Sequence, residues 1–328
     1  MTGRRAAVIV GGPSAEAAVS RASGAAVASA LAAAGHQVRT LELDAELARR
    51  LSDDPPEVVF PTTHGPLGED GCLQGLLEVL NLPYVGSAVL ASALAASKPH
   101  AKRLLAAAGL PIAPERLIER GEPLAERAAE ARRALGPELV IKPAAGGSAI
   151  GVTRVLRDDP DSQVIAALEQ ALSADASALI EPLLRGHEVT CGVLASDGGD
   201  AALPPTLIVS KAADFYDFRS KYAPSGSDHV CPAPFEGSWI ERIQALALGA
   251  HRAVGARDLS RADAIVAEDG TVTLLEVNTL PGMTQTSLFP EAARAAGIDF
   301  IELCDRLLRR AHARPRREAP AAVPIPTG

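Results

Sequence analysis

Aromatic residues are scarce in this chain of 328 residues: one Trp, three Tyr and six Phe amount to 3%. Its cores must therefore be filled by Ala, Val, Leu and Ile, and a hydrophobic content of 47% supplies enough of them. The four cysteines, Cys72, Cys191, Cys231 and Cys304, include no C-x-x-C pair. That excludes the usual zinc spacing and the dithiol redox motif, and the thiols are read as reduced. Basic excess is missing too. A net charge of −8 argues against a general nucleic-acid or anionic-membrane binder, so any phosphate site must be local. No apolar run is long enough to span a bilayer. The run Ala6 to Val10 behind Met-Thr-Gly-Arg-Arg stops at Gly11-Gly12-Pro13, short of a signal-peptide core, and the chain is read as cytoplasmic. Neither a P-loop nor a strand-linked dinucleotide fingerprint occurs, so a nucleotide has to be held by other means.

What is present is strand alternating with helix. The length calls for two or three domains. A buried strand over residues 5–10 runs into Gly11-Gly12-Pro13-Ser14, a helix follows to Ala34, and strands at 38–43 and 58–60 precede a helix at 73–80. Such alternation predicts a parallel sheet, with ligands beyond the carboxyl ends of its strands, where Glu16 and His64 lie. After helices at 88–96 and 98–108, the segment Gly109-Leu110-Pro111-Ile112-Ala113-Pro114 breaks the pattern and marks a junction. A small α+β unit follows, with helices at 122–135 and 161–172 and strands at 139–142, 152–155 and 178–184. From Glu188 onward come strands at 189–195 and 203–209, a long loop from Lys211 to Glu236, a helix at 239–254, a hairpin and a helix at 301–311. The stretch from Ala313 to Gly328, rich in Pro, Arg and Ala, is expected to be disordered.

The hairpin is the most informative feature. Two alternating strands, Arg261 to Glu268 and Thr271 to Asn278, meet at Asp269-Gly270, the dipeptide favoured in two-residue turns. With Glu268 and Thr271 as the first pair, opposed residues have numbers summing to 539, so Asp263 faces Glu276 and Arg261 faces Asn278. Opposed Cβ atoms lie about 4.5–5.5 Å apart, and two carboxylates so placed repel unless a cation sits between them. Two carboxylates and an amide oxygen, with no His or Cys nearby, suit Mg²⁺ sharing its shell with phosphate oxygens. Arg261 suits a developing anionic oxygen. A solvated strand face is the bland alternative. It fits poorly, because the same face continues with Ile265, Ala267, Leu274 and Val272 while Val266 and Leu275 fill the other.

Weaker signals surround it. Lys142 ends a strand beside the loop Ala144 to Gly151, whose backbone N–H groups and glycines can approach phosphate oxygens; a plain Gly-rich turn reads equally well. The strand ending Leu179-Ile180-Glu181-Pro182-Leu183-Leu184 can offer an edge to a purine. Pro182 lacks an N–H, so the donor falls to a neighbour such as Leu184, and Glu188 could accept from ribose hydroxyls. Each of these residues taken alone is as readily structural.

Taken in order, these pieces resemble the ATP-grasp superfamily and, within it, the D-alanine–D-alanine ligases, from about residue 5 to about residue 310. The resemblance is carried by Gly11-Gly12-Pro13-Ser14-Ala15-Glu16, His64-Gly65-Pro66-Leu67-Gly68-Glu69-Asp70-Gly71, Tyr84-Val85-Gly86-Ser87, Ala91-Ser92-Ala93-Leu94 with Lys98, Phe215-Tyr216-Asp217, Lys221-Tyr222, Arg261-Ala262-Asp263 and Glu276-Val277-Asn278 followed by Gly282. It implies an α/β and α+β three-domain ATP-grasp fold: residues 1–97 an N-terminal parallel-sheet domain for the first D-alanine, 98–187 the small central domain, 188–312 the C-terminal domain with metal site and lid, and 313–328 a tail. It also implies ATP and two Mg²⁺ ions, with Mn²⁺ as a substitute, D-alanine as both substrates, and a homodimer.

By the same resemblance, Lys98 and Lys142 contact the ATP phosphates, Glu181, Leu184 and Glu188 the adenosine, and Asp263, Glu276 and Asn278 the metal. Glu16 holds the ammonium of the first D-alanine with His64 nearby. Arg261 and the Gly282 N–H form the oxyanion hole, Lys221 meets the transferring phosphoryl group, and Ser287 with the Leu288 N–H receives the second carboxylate. Ser148 and Tyr222 tie to Glu16, and the loop from Lys211 serves as a lid. One departure is visible: Ala149 stands where the family has a second Ser. Three other readings stay open: a same-fold ligase with another amino or hydroxy acid as second substrate, a non-catalytic nucleotide-binding module, and a carboxylate metallohydrolase.

Overall fold

The computed structural model describes residues 3–147, 150–196, 198–210 and 227–315. Its first part contains β1 (Arg5–Val10), α1 (Ala17–Ala33), β2 (Gln37–Glu42), α2 (Leu47–Asp53), β3 (Val58–Pro61), α3 (Cys72–Val79), α4 (Val89–Ala96) and α5 (Lys98–Ala107). The three strands form a parallel sheet in the order β2-β1-β3. Five of the six β1 residues are buried, as expected of a central strand covered on both faces. Helix α1 lies close on that sheet because Gly24 has no side chain: a Cβ there would stand 2.1 Å from Val10 Cγ1.

Next come β4 (Arg116–Glu119), α6 (Leu124–Leu135), β5 (Leu139–Pro143), β6 (Thr153–Val155), α7 (Asp161–Ala174) and β7 (Ser177–Pro182). The strands make a four-stranded antiparallel sheet, β4-β7-β5-β6, with α6 and α7 packed on it around Leu139, Ile141, Val164 and Leu168. The remainder contains β8 (His187–Ser196), β9 (Gly199–Ala202), β10 (Thr206–Ser210), β11 (Ser227–Val230), α8 (Gly237–Val254), β12 (Leu259–Val266), β13 (Val272–Asn278), α9 (Leu288–Ala295) and α10 (Phe300–Ala313). Its sheet runs β11-β10-β8-β12-β13 with β9 paired to β8.

Two packing relations cross these segments. Helix α5 buries Ala101 and Leu105 against α8 and the large sheet, so this helix shares the core of Val189, Ile243 and Leu274. Helix α10 returns to the first sheet, where Leu303, Leu307 and Leu308 join Val8, Val27 and Phe60.

Several elements depart from the sequence expectation. Strand β11 occupies part of the span expected to be one loop from Lys211 to Glu236. Strands β4 and β9, and helices α2 and α9, were not anticipated. The hairpin turn differs as well. The Ala267 N–H donates to the Thr271 carbonyl at 2.9 Å, leaving Glu268, Asp269 and Gly270 as a three-residue loop, with Gly270 at φ +79°, a geometry in which glycine takes the left-handed position. Near that turn, pairs such as Val266 with Val272 sum to 538, and a β-bulge between Asp263 and Ala264 restores Asp263 opposite Glu276 and Arg261 opposite Asn278. The bulge also corrects the facing. Leu274 and Val272 point into the core under α8, whereas Ile265 and Leu275 share the cavity face with Asp263 and Glu276, because one extra residue inverts the strand's alternation.

Candidate active site between the two antiparallel sheets

A cavity of about 890 Å³ separates the four-stranded sheet from the large one, and Lys98, Lys142, Gly146, Glu181, Leu184, Glu188, Asp263 and Glu276 all line it. One wall is the β5–β7 pair with the Gly-rich loop, the other the β8–β12–β13 face. Its remaining lining is mostly apolar, including Val140, Ile150, Leu207, Ile208, Ile265 and Leu275, which is how sites that take flat rings are built. A smaller cavity of about 130 Å³ adjoins it and shares Lys98, Gly146, Gly147 and Glu276, with Gly65, Glu69 and Asn278 added.

The lysines define the centre. Lys98 opens α5 after Ser97; its Nζ donates to the Gly146 carbonyl and lies 4.0 Å from Glu276. Burial pulls the Lys98 ammonium below its ordinary value of 10.5; Glu276 opposes that fall and Lys142 adds to it. Lys142 sits on the four-stranded sheet with Nζ 2.7 Å from Glu181. Glu181 is 4% exposed and pairs on its other oxygen with Lys102. Lys102 is itself 3% exposed and stands 3.0 Å from Glu115. Burial alone would raise the Glu181 carboxyl, but Lys142 and Lys102 outweigh it and hold it below the carboxylate range.

Lys102 and Glu115 were not singled out in the sequence, although Lys98 and Lys102 are spaced i, i+4 and so share one face of α5. Because the Glu181 carboxylate is committed to two ammonium groups, a hydrogen bond from Glu181 to a purine would come from its backbone. The Leu183 N–H is taken by the Glu138 carbonyl at 2.9 Å, which makes Leu184 the next amide toward the cavity.

The acids lie where the hairpin puts them. Asp263 is 8% exposed. Its Oδ1 accepts from Thr190 Oγ1 at 2.6 Å and Arg261 Nε at 2.9 Å, and its Oδ2 accepts from Arg261 Nη2 at 2.7 Å. Asn278 Oδ1 accepts from the Leu280 N–H at 2.9 Å. The donors are all oxygen, as a hard divalent cation requires. Among the described residues no group of three His, Cys, Asp or Glu converges on one point. The set therefore fits an ion that arrives with phosphate oxygens, not one caged by protein alone.

The first sheet contributes the far wall. A Cβ on Gly147 would stand 3.6 Å from a Glu16 carboxylate oxygen and 4.0 Å from one of Glu69. His64 is 7% exposed, with Nδ1 3.7 Å from Glu69, and the Ser14 hydroxyl donates to the His64 carbonyl at 2.8 Å. Glu69 lies in the His64-to-Gly71 motif, where the sequence points to no role for it. Gly282 and Ser287 meet beyond the hairpin, where a Gly282 Cβ would stand 3.1 Å from Ser287 Oγ. Ser287 precedes α9, which begins at Leu288, and the Met283 N–H donates to Ser23 of α1 at 3.3 Å. Ser148, Ala149, Lys221 and Tyr222, with residues 211–226 of the expected lid from Lys211 to Glu236, lie outside the described residues, and β11 occupies residues 227–230 of that span.

A family model described as D-ala D-ala ligase C-terminus matches residues 104–309, and one described as D-ala D-ala ligase N-terminus matches residues 40–87. The chain is 42% identical over 308 residues to D-alanine–D-alanine ligase B of Brucella melitensis, covering 92% of this chain and 94% of that one. It belongs to the D-alanine–D-alanine ligase family. A D-alanine–D-alanine ligase of Geotalea uraniireducens is 41% identical over 94% of this chain and 96% of its own. Among solved structures, the Bacillus anthracis D-alanine–D-alanine ligase complexed with ATP superposes with a TM-score of 0.79 at 30% identity, over 94% and 97% of the two chains. The VanG D-Ala:D-Ser ligase of Enterococcus faecalis gives 0.79 at 28%, over 94% and 100%. The expected ATP-grasp fold of the ligase family is thus the fold found. No described helix is long and apolar enough to cross a membrane.

Proposed function

We propose that this protein joins two D-alanine molecules at the expense of ATP, through a D-alanyl phosphate, in the cytoplasm and for peptidoglycan precursor synthesis. The observation that carries the reading is the pair of adjoining cavities: one large and largely apolar for a nucleotide, one small and lined by acids and glycines for an amino acid, with Lys98 and Glu276 in both. Lys98 and Lys142 hold the phosphates at that junction, and the backbone near Leu184 with Glu188 takes the adenosine. Mg²⁺, with Mn²⁺ as a substitute, would be held by Asp263, Glu276 and Asn278 and would neutralise phosphate charge there. Glu16, beside Gly147 and Glu69, orients the ammonium of the first D-alanine so that its carboxylate faces the terminal phosphate.

Arg261 and the Gly282 N–H stabilise the oxygen that gains charge when the second amine attacks, and Ser287 with the Leu288 N–H fixes the second carboxylate. Ser148, Lys221 and Tyr222 complete the reading with the roles the resemblance implies. The working form is taken to be a homodimer. Val79 and Leu90, 85% and 71% exposed on α3 and α4, are apolar surface of the kind a second copy covers.

The fold does not choose the second substrate, since the D-Ala and D-Ser ligases superpose equally well. Incubation with ATP and a mixture of D-alanine, D-serine and D-lactate, read by mass spectrometry, should give D-alanyl-D-alanine as the main product. ADP and phosphate should appear only when D-alanine is present. Equal turnover with L-alanine, or phosphate release from ATP alone, would remove this reading in favour of another ligase or a hydrolase.

Lys98 makes ATP use depend on pH. Its ammonium is lost as pH rises through a value below 10.5, so KM for ATP should climb on the alkaline side. Bound phosphate restores the proton and moves the limb of kcat to higher pH. In Lys98→Arg the guanidinium does not titrate, and that limb should vanish from kcat/KM; its persistence would assign the titration elsewhere.

A further inference from the structure

We propose that Asp258, backed by Arg314, is a positioning residue that locks the unit holding Glu16 and His64 onto the strand carrying Arg261 and Asp263. The proposal rests on the ligase reading above. Asp258 is 1% exposed and has φ +64°, a left-handed conformation that is uncommon for any residue with a side chain and persists only where its surroundings fix it. Here they do. Its carbonyl accepts from the Ala195 N–H at 2.8 Å. Its Oδ2 accepts from the Gly86 N–H at 2.8 Å. Arg314 Nη2 donates to both carboxylate oxygens, at 2.6 and 2.7 Å, and Arg310 Nε lies 3.5 Å from one of them.

The neighbouring residue grips the peptide that follows, between Gly86 and Ser87. Arg257 Nε donates to the Gly86 carbonyl at 2.7 Å and its N–H to Ser87 Oγ at 3.2 Å, while its guanidinium sits 4.7 Å over the Tyr84 ring. Arg314 Nη1 also donates to the Tyr84 carbonyl at 2.9 Å. The segment Tyr84 to Ser87, singled out in the sequence but given no role there, is therefore clasped by Arg257, Asp258 and Arg314 immediately before β12 begins. Three residues later stands Arg261. A Cβ on Gly86 would stand 3.7 Å from Leu280, on the way to Gly282, so the clasp lies against both ends of the hairpin.

The consequence is geometric. Glu16 and His64 lie on one side of this contact, Arg261 and Gly282 on the other, and the reacting amino acids must fit between them. Misplacement by about 1 Å costs on the order of a hundredfold in rate. None of Tyr84, Gly86, Arg257, Asp258 or Arg314 lines the large cavity, so nucleotide binding should not feel the clasp.

The test compares full-length Asp258→Gly, which keeps the left-handed backbone but removes the carboxylate, Arg314→Gln and Arg314→Lys with the unaltered chain. In Asp258→Gly and Arg314→Gln, half-saturation by D-alanine should rise by roughly tenfold or more, KM for ATP at saturating D-alanine should stay unchanged, and Arg314→Lys should recover most of the loss. Amide hydrogen exchange should quicken in peptides spanning 84–87 and 259–263. A loss shared equally between D-alanine and ATP, or unchanged D-alanine kinetics with a lower melting temperature only, would overturn the clasp. Unchanged exchange would do so whatever the assay gives. An unaltered chain that makes no dipeptide counts against the ligase reading, and exchange still decides the clasp.

Discussion

Replacing Glu181 with Gln should lower folding stability by about 3–5 kcal/mol, the range for removing one partner of a buried ion pair. The magnitude follows from what is left behind. Lys102, 3% exposed, and Lys142, 8% exposed, share this carboxylate, and an amide oxygen cannot compensate two desolvated ammonium groups. Glu115 still reaches Lys102 at 3.0 Å, so Lys142 is the more exposed to the loss and nucleotide affinity should fall with stability. Urea unfolding measures the first effect and ATP titration the second. Adding Lys102→Met to Glu181→Gln should recover part of the stability, since the two sites are in contact and couple; strict additivity would contradict the network. The pH dependence has a definite sign. The Glu181 carboxyl is held below its ordinary value of 4.5 in the folded chain, so its contribution is whole above 4.5 and is lost as pH falls through the lower folded value.

A second large effect is expected at Arg261. Arg261→Gln should reduce kcat by about 10²–10³, the loss typical of one donor to a developing oxyanion. Yet the same change should tighten Mn²⁺ binding to the nucleotide-free protein. Both Asp263 oxygens accept from Arg261, at 2.9 and 2.7 Å, and a divalent ion held by Asp263 as proposed would take at least one of them beside a guanidinium. Removing Arg261 removes a competitor and a like charge. Electron paramagnetic resonance of free Mn²⁺ reads this without turnover. Weaker metal binding in the variant would show that Arg261 and the ion do not contend for Asp263.

How much of this was legible depended on period and distance along the chain. The opposition of Asp263 to Glu276 could be read because both strands alternate and Asp269-Gly270 marks the turn. Two irregularities that cancel leave no trace in that alternation: a three-residue loop with Gly270 left-handed, and a bulge beside Asp263. No pattern in the sequence announces a bulge. Strands β4, β9 and β11 are four residues each and largely uncovered on one side, too short for alternation to rise above noise. Helix α9 carried a usable signal, Ser287 ahead of it with Glu291 in its first turn. Lys102 was readable from its spacing to Lys98. Its partners Glu115 and Glu181 were not, because they reach it across sheet and helix. Asp258 and Arg314 are 56 residues apart, and nothing local links an aspartate in a loop with an arginine just past α10.

Lys98, Gly146, Gly147 and Glu276 border both cavities, and that shared boundary makes the two occupants thermodynamically inseparable. Whatever factor a bound nucleotide applies to amino-acid affinity, the amino acid must return to the nucleotide, because linkage is reciprocal. Order of addition in this family member is therefore a matter of relative concentrations and rates, while the coupling itself is a single property of one common wall.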